Sequence, residues 1–82
     1  MKLVVSNLPE TIDEKEIEQL FSRFGRVSQI RMLYNFYTQK FRGMAYVDMK
    51  DETSARSAVQ QLNQSRVHEN VITVEPVVST KL

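Results

Sequence analysis

The stretch from Asn35 to Met49 holds most of the side chains equipped for chemistry. Arg42, Met44 and Tyr46 fall at alternate positions, so an extended backbone puts all three on one face. A guanidinium beside a flat ring and a thioether is poorly suited to bond cleavage. A basic group beside apolar and aromatic platforms suits single-stranded nucleic acid. Just upstream, Asn35-Phe36-Tyr37-Thr38-Gln39-Lys40-Phe41 sets three rings beside Lys40 and Arg42. Rings in a short surface loop are hard to bury. Either one or two of them stack on bases, or Phe36 or Phe41 folds back against a strand edge and only packs.

The remaining chemistry is thin, and its absence narrows the function. The 82 residues include no Cys, which excludes a disulfide scaffold, a zinc finger, a CxxC redox pair and a thiol nucleophile. His68 is the single imidazole, without a second His or a Cys to share a metal, and reads as a surface residue. No carboxylate pair, His-based nucleophile or Gly-rich phosphate loop occurs, so no enzyme is expected and no cofactor or metal is called for. The net charge of +1 is too mild to announce a polyanion partner, but its distribution is informative. Residues 1–24 carry −2, residues 25–50 carry +4 through Arg26, Arg31, Lys40, Arg42 and Lys50 against Asp48, and the rest carries −1. A polyanion should therefore dock on the middle of the chain.

These side chains need a scaffold, and hydrophobic periodicity supplies one. Lys2 to Ser6 reads as a strand with Leu3 and Val5 on one face, ended by Pro9. Thr11-Ile12-Asp13-Glu14 resembles a capping box, after which Ile17, Leu20, Phe21 and Phe24 trace one helical face up to Gly25, a left-handed stop. Val27 to Leu33 reads as a second strand, Tyr34 to Lys40 as a loop, and Met44 to Met49 as a third strand. Asp51 or Thr53 caps a second helix that turns Ala55, Ala58, Val59 and Leu62 inward and ends at Asn63. After a polar link holding Val67, Val71 to Val74 forms the fourth strand, closed by Pro76. Asn7 is expected to hold the chain after the first strand by local hydrogen bonds.

The order β-α-β-β-α-β predicts an α+β, ferredoxin-like sandwich: a four-stranded antiparallel sheet with two helices on one face. Right-handed crossovers put both helices on the same side, leaving the other side open. Alternation then assigns Lys2, Val4 and Ser6, Arg31 and Leu33, Arg42, Met44, Tyr46 and Asp48, and Val71, Thr73 and Glu75 to the open face. This mixture of apolar platforms and bases is less polar than a purely structural outer face. Residues 1–77 make one domain, and 78–82 a short flexible tail.

Leu3-Val4-Val5-Ser6-Asn7-Leu8 resembles the six-residue ribonucleoprotein motif of the RNA recognition motif family, and Arg42 to Met49 resembles its eight-residue motif. Leu20 to Gly25, Ala55, Ala58, Leu62-Asn63 and Val74 extend the likeness over residues 2–76. The resemblance implies single-stranded RNA as partner, with single-stranded DNA also open, and bases stacked at Val4, Met44 and Tyr46. Only Tyr46 of these is aromatic. It implies that Arg42 pairs with phosphate and that Gly43 permits close backbone approach. Alternation adds Lys2, Arg31, Leu33 and Thr73 to the expected RNA contacts, and the loop adds Phe36, Tyr37, Lys40 and Phe41. The family often carries Gly where this chain has Gln64 and Glu69, so the link before the last strand is expected to turn differently. The resemblance is to small bacterial proteins with one such domain.

Other uses of this fold fare less well. An acylphosphatase needs a glycine-rich loop after the first strand, where this chain has Ser6-Asn7-Leu8-Pro9-Glu10; a copper chaperone needs cysteines. The stronger rival is a protein-interaction module that uses the ring-poor apolar face. No apolar run approaches the roughly 20 residues of a membrane span. The start of the chain has no signal-peptide core, so a cytoplasmic monomer is expected, or a nuclear protein if the chain is an excerpt of a eukaryotic one.

Overall fold

A computed structural model describes residues 1–77, so the expected tail at 78–82 lies outside the described residues. The elements are β1 (Lys2–Ser6), α1 (Glu14–Ser22), β2 (Val27–Tyr34), β3 (Phe41–Met49), α2 (Glu52–Leu62), β4 (Arg66–Val67), β5 (Asn70–Val71) and β6 (Thr73–Pro76). β2, β3, β1 and β6 pair in that order as an antiparallel sheet, while β4 and β5 form a separate hairpin. The expected ferredoxin-like arrangement is therefore present, with β6 in the role of the fourth strand.

Both helices contribute to one core. Ile17 and Phe21 from α1 and Ala55, Ala58 and Leu62 from α2 meet Leu3, Val5, Ala45, Val47, Met49, Ile72 and Val74 in a single buried cluster. The even-numbered neighbours in β1 and β3 are thereby forced to the opposite side, where no helix covers them. Leu20, Phe24 and Val59 pack at the rim of the cluster.

Three local expectations are corrected. Asp13, not Thr11, caps α1: its carboxylate accepts from the Glu16 amide at 2.8 Å. A turn in which Ile12 N donates to Pro9 O buries Ile12 before the helix begins, and Asp13-Glu14-Lys15-Glu16 has the same cap spacing two residues later. Gly25 is not left-handed; the left-handed glycine is Gly43. A Cβ at Gly25 would lie 2.5 Å from the Ser54 side chain, so glycine there lets the α1–β2 corner touch α2. The segment read as one strand, Val71 to Val74, is split by Ile72. Its side chain is buried while its amide donates to Ser65 O at 2.9 Å, so Asn70–Val71 pairs with β4 and Thr73 starts the sheet strand.

The backbone turns do not fall where glycine was missed, with one exception. Gln64 does adopt a left-handed conformation (φ 68°), and its amide donates to Ile72 O. In the hairpin the left-handed residue is His68 (φ 55°), first in the two-residue turn, rather than Glu69. Asn7 is also left-handed, and its role is long-range: its amide group donates to Val71 O at 2.9 Å, and Asn70 donates back to Asn7 O. These bonds replace the local ones expected and lock the hairpin against the end of β1.

Candidate nucleic-acid interface

The uncovered sheet face is organised in rows across the strands. Arg31, Tyr46, Val4 and Glu75 lie opposite one another on β2, β3, β1 and β6. One row away, Gln29, Asp48 and Lys2 align. Ser6 and Thr73 pair on the other side, towards the end where Met44 stands. Core burial of Leu3, Val5, Ala45, Val47 and Met49 fixes this pattern, because a one-residue slip would turn the whole set over. Lys2, Val4, Ser6, Arg31, Tyr46, Asp48, Thr73 and Glu75 are where alternation put them, while Leu33, Arg42 and Met44 fall in the register shift between the Met32–Ala45 and Tyr34–Phe41 pairs. Val71 is the departure, since it belongs to the hairpin.

Tyr46 is the aromatic centre of this face. The Lys2 ammonium stands 5.7 Å from its ring centroid, within cation–π range. Lys2, Gln29, Arg31, Tyr46 and Asp48 enclose a shallow pocket of about 160 Å³. Among the described residues, Lys2, Arg31, Lys40 and Arg42 form no ion pair with a carboxylate, so all four cations are available to an outside anion. The ion pairs present are Met1–Asp48 and Glu52–Arg56, and His68 Nε2 shares a hydrogen bond with Glu16 Oε2.

At the start of β3 the backbone is held by Gly43. Its φ is +77°, and its carbonyl accepts from Leu8 N at 2.9 Å. A Cβ at this position would sit 3.2 Å from Leu8 O. The close approach that glycine permits here is thus to the turn after β1. It seats Arg42 and Met44 beside that turn.

The loop after β2 is a different construction. Asn35 Oδ1 accepts from the amides of Tyr37 and Thr38, Asn35 N donates to Lys40 O at 2.7 Å, and Gln39 N donates to Asn35 O. These bonds tie the chain into a tight turn that closes the β2–β3 hairpin. Phe36 and Tyr37 project from it almost fully exposed, at 87% and 91%, with their rings edge to face and centroids 5.5 Å apart. Phe41 is separated from this pair. It belongs to β3, packs on the rim of the core and meets the Tyr34 ring at 5.8 Å.

Sequence reasoning passed over Gln29, Asp48 and Tyr34 as site residues. Alternation already put Asp48 on the open face, and Gln29 stands two residues before Arg31 on the same strand face; their acidic or neutral character kept them out of a search for stacking and phosphate groups. Tyr34 is half-exposed beside the loop, at the end of a strand one residue longer than expected.

Comparison with known proteins follows the same lines. The family model described as RNA recognition motif matches residues 3–73. The U4/U6 snRNA-associated splicing factor PRP24 of Ophiostoma ulmi is 38% identical over 77 residues, 94% of this chain and 9% of its own length. The chloroplastic RNA-binding protein CP33 of Arabidopsis thaliana is 35% identical over 66 residues, 80% of this chain and 20% of its own. The chain thus spans a fifth or less of the length of these two relatives. The crystal structure of RNA binding protein PG1 superposes with a TM-score of 0.91 at 26% identity, covering 100% of this chain and 99% of that one.

Proposed function

We infer that this chain, which belongs to the RNA recognition motif family, binds single-stranded RNA across the open face of its sheet and along the Asn35–Phe41 loop. The observation that carries the reading is the row Arg31–Tyr46–Val4, with its half-buried ring and unpaired guanidinium on the one sheet face that no helix covers. Tyr46 stacks a base, Val4 and Met44 give apolar contact without rings, and Arg42 and Lys40 hold phosphates. Phe36 and Tyr37 extend the stacking surface beyond the sheet, offsetting the two platform positions that lack rings. Phe41 packs on the core rim beside Tyr34, apart from these two rings. Affinity and sequence preference are modest because few rings are present.

The domain acts as a binding module rather than an enzyme. Its family and its shallow, open face support that reading. A partner protein on the same face is the competing use, favoured by Val4, Leu33 and Met44 but not by the block of positive charge.

An amide-shift NMR titration with a short randomised single-stranded RNA, at low and high salt, separates the two. Shifts at Val4, Arg42, Met44, Tyr46 and residues 35–41 that fade as salt rises are expected. With two or three phosphates neutralised, the logarithm of affinity should fall against log salt with a slope of roughly −1.4 to −2.1. No response on the sheet face would overturn the RNA reading.

A further inference from the structure

Asp48 is out of place on a surface that holds phosphates. Its side chain is 41% exposed, and it sits on the open face two residues beyond Tyr46 on β3, between Gln29 and Lys2 of the flanking strands. Its Oδ1 lies 3.6 Å from the terminal amine of Met1, beyond hydrogen-bonding range. Ser28 Oγ donates to the Asp48 backbone carbonyl, not to the carboxylate. Among the described residues the carboxylate therefore makes no hydrogen bond. A carboxylate in this position repels a phosphate and attracts an N–H donor.

A base stacked on Tyr46 brings such donors to it. Residues two apart on one strand face are about 7 Å apart, so a base centred on the Tyr46 ring reaches Asp48 with one edge. The pocket between them, about 160 Å³, has room on the order of one nucleobase. Its other walls are the donors Lys2, Gln29 and Arg31. The pocket thus pairs one two-oxygen acceptor with several donors around a single flat platform.

Resting on the RNA reading above, we propose that the pocket of Lys2, Gln29, Arg31, Tyr46 and Asp48 is a guanine site, with Asp48 as the residue that selects the base. Uracil offers a carboxylate one ring N–H, and cytosine and adenine each offer one amino group. Guanine presents a ring N–H and the adjacent amino group side by side, matching both carboxylate oxygens. Its O6 and N7 then accept from the surrounding donors. The Lys2 ammonium, now over the Tyr46 ring, moves to the rim as the base enters.

The test uses fluorescence anisotropy with labelled uridine octamers carrying G, A, C or U at one central position. The wild-type chain should bind the G probe about tenfold more tightly than the other three, the scale of a charge-assisted bond. Asp48→Asn, a substitution at a half-exposed side chain outside the core, should reduce that ratio below about threefold. Replacing the guanosine by inosine, which lacks the amino group, should weaken wild-type binding and scarcely affect the variant. Equal binding of all four probes overturns the guanine assignment while leaving the RNA reading intact. A G preference that survives in Asp48→Asn overturns the role of Asp48. Failure of every probe to bind overturns the RNA reading and this site with it.

Discussion

The sheet face around Tyr46 and the loop carrying Phe36 and Tyr37 present rings to solvent by opposite means. On the sheet, each ring or charge is aimed by the core beneath it: Tyr46 faces out because Ala45 and Val47 are buried on either side. The loop has no core beneath it. Its rings are set by Asn35, whose side chain accepts two backbone amides and whose backbone closes the turn from both ends. A surface built on alternation cannot be moved without disturbing the fold, whereas one built on a side-chain-bonded turn can be rebuilt freely. The sheet is therefore the fixed part of the proposed interface and the loop its adjustable part.

The comparison is most severely tested through the core. Phe21→Ala should cost about 3–5 kcal/mol of stability, measured by urea unfolding, and remove the sheet site together with the fold. Next in size, Tyr46→Ala should weaken RNA binding by about 1–3 kcal/mol in calorimetry. The double variant Phe36→Ala/Tyr37→Ala should lose binding on the same scale of about 1–3 kcal/mol per stacked base while its unfolding midpoint stays at the wild-type value. Unchanged binding by that folded variant would make the loop rings bystanders. Restoring a ring on the sheet with Met44→Phe should gain about 1 kcal/mol, less than Tyr46→Ala loses, because the thioether already gives apolar contact. The most local effect belongs to Asn35→Ala, which removes two net hydrogen bonds of about 1 kcal/mol each from the loop alone. Hydrogen exchange should quicken at Tyr37 and Thr38 but not in β3; faster exchange throughout β3 would mean that loop and sheet are one unit.

The glycines give a second contrast of the same kind. Gly43 occupies a left-handed position that an L side chain adopts only at a cost of about 1–2 kcal/mol. Gly25 has an ordinary backbone and is required only by Ser54, a residue 29 positions away in sequence. Nothing in the local pattern around Gly25 distinguishes the two cases, and a helix-stop reading of it was natural and incorrect.

What the sequence determined by itself is whatever follows from period and alternation. Ile17, Leu20, Phe21 and Phe24 mark the face of α1, Leu3 and Val5 that of β1, and Ala45, Val47 and Met49 that of β3. Those three sets suffice to imply the layering and to name Val4, Met44, Tyr46 and Arg42 as the open face. The tertiary structure decided the features that depend on residues distant in sequence. Asp48 becomes a candidate base selector only when β1 and β2 bring Lys2 and Gln29 to its sides. Phe41 parts from Phe36 and Tyr37 because β3 begins at residue 41 and its rim of core accepts the ring. Asn7 serves the β4–β5 hairpin because Ile72, buried between Val71 and Thr73, breaks the last strand and turns Asn70 back toward β1. Periodicity is a local property of the chain, whereas side-chain neighbours across strands and between loops exist only after the core has closed.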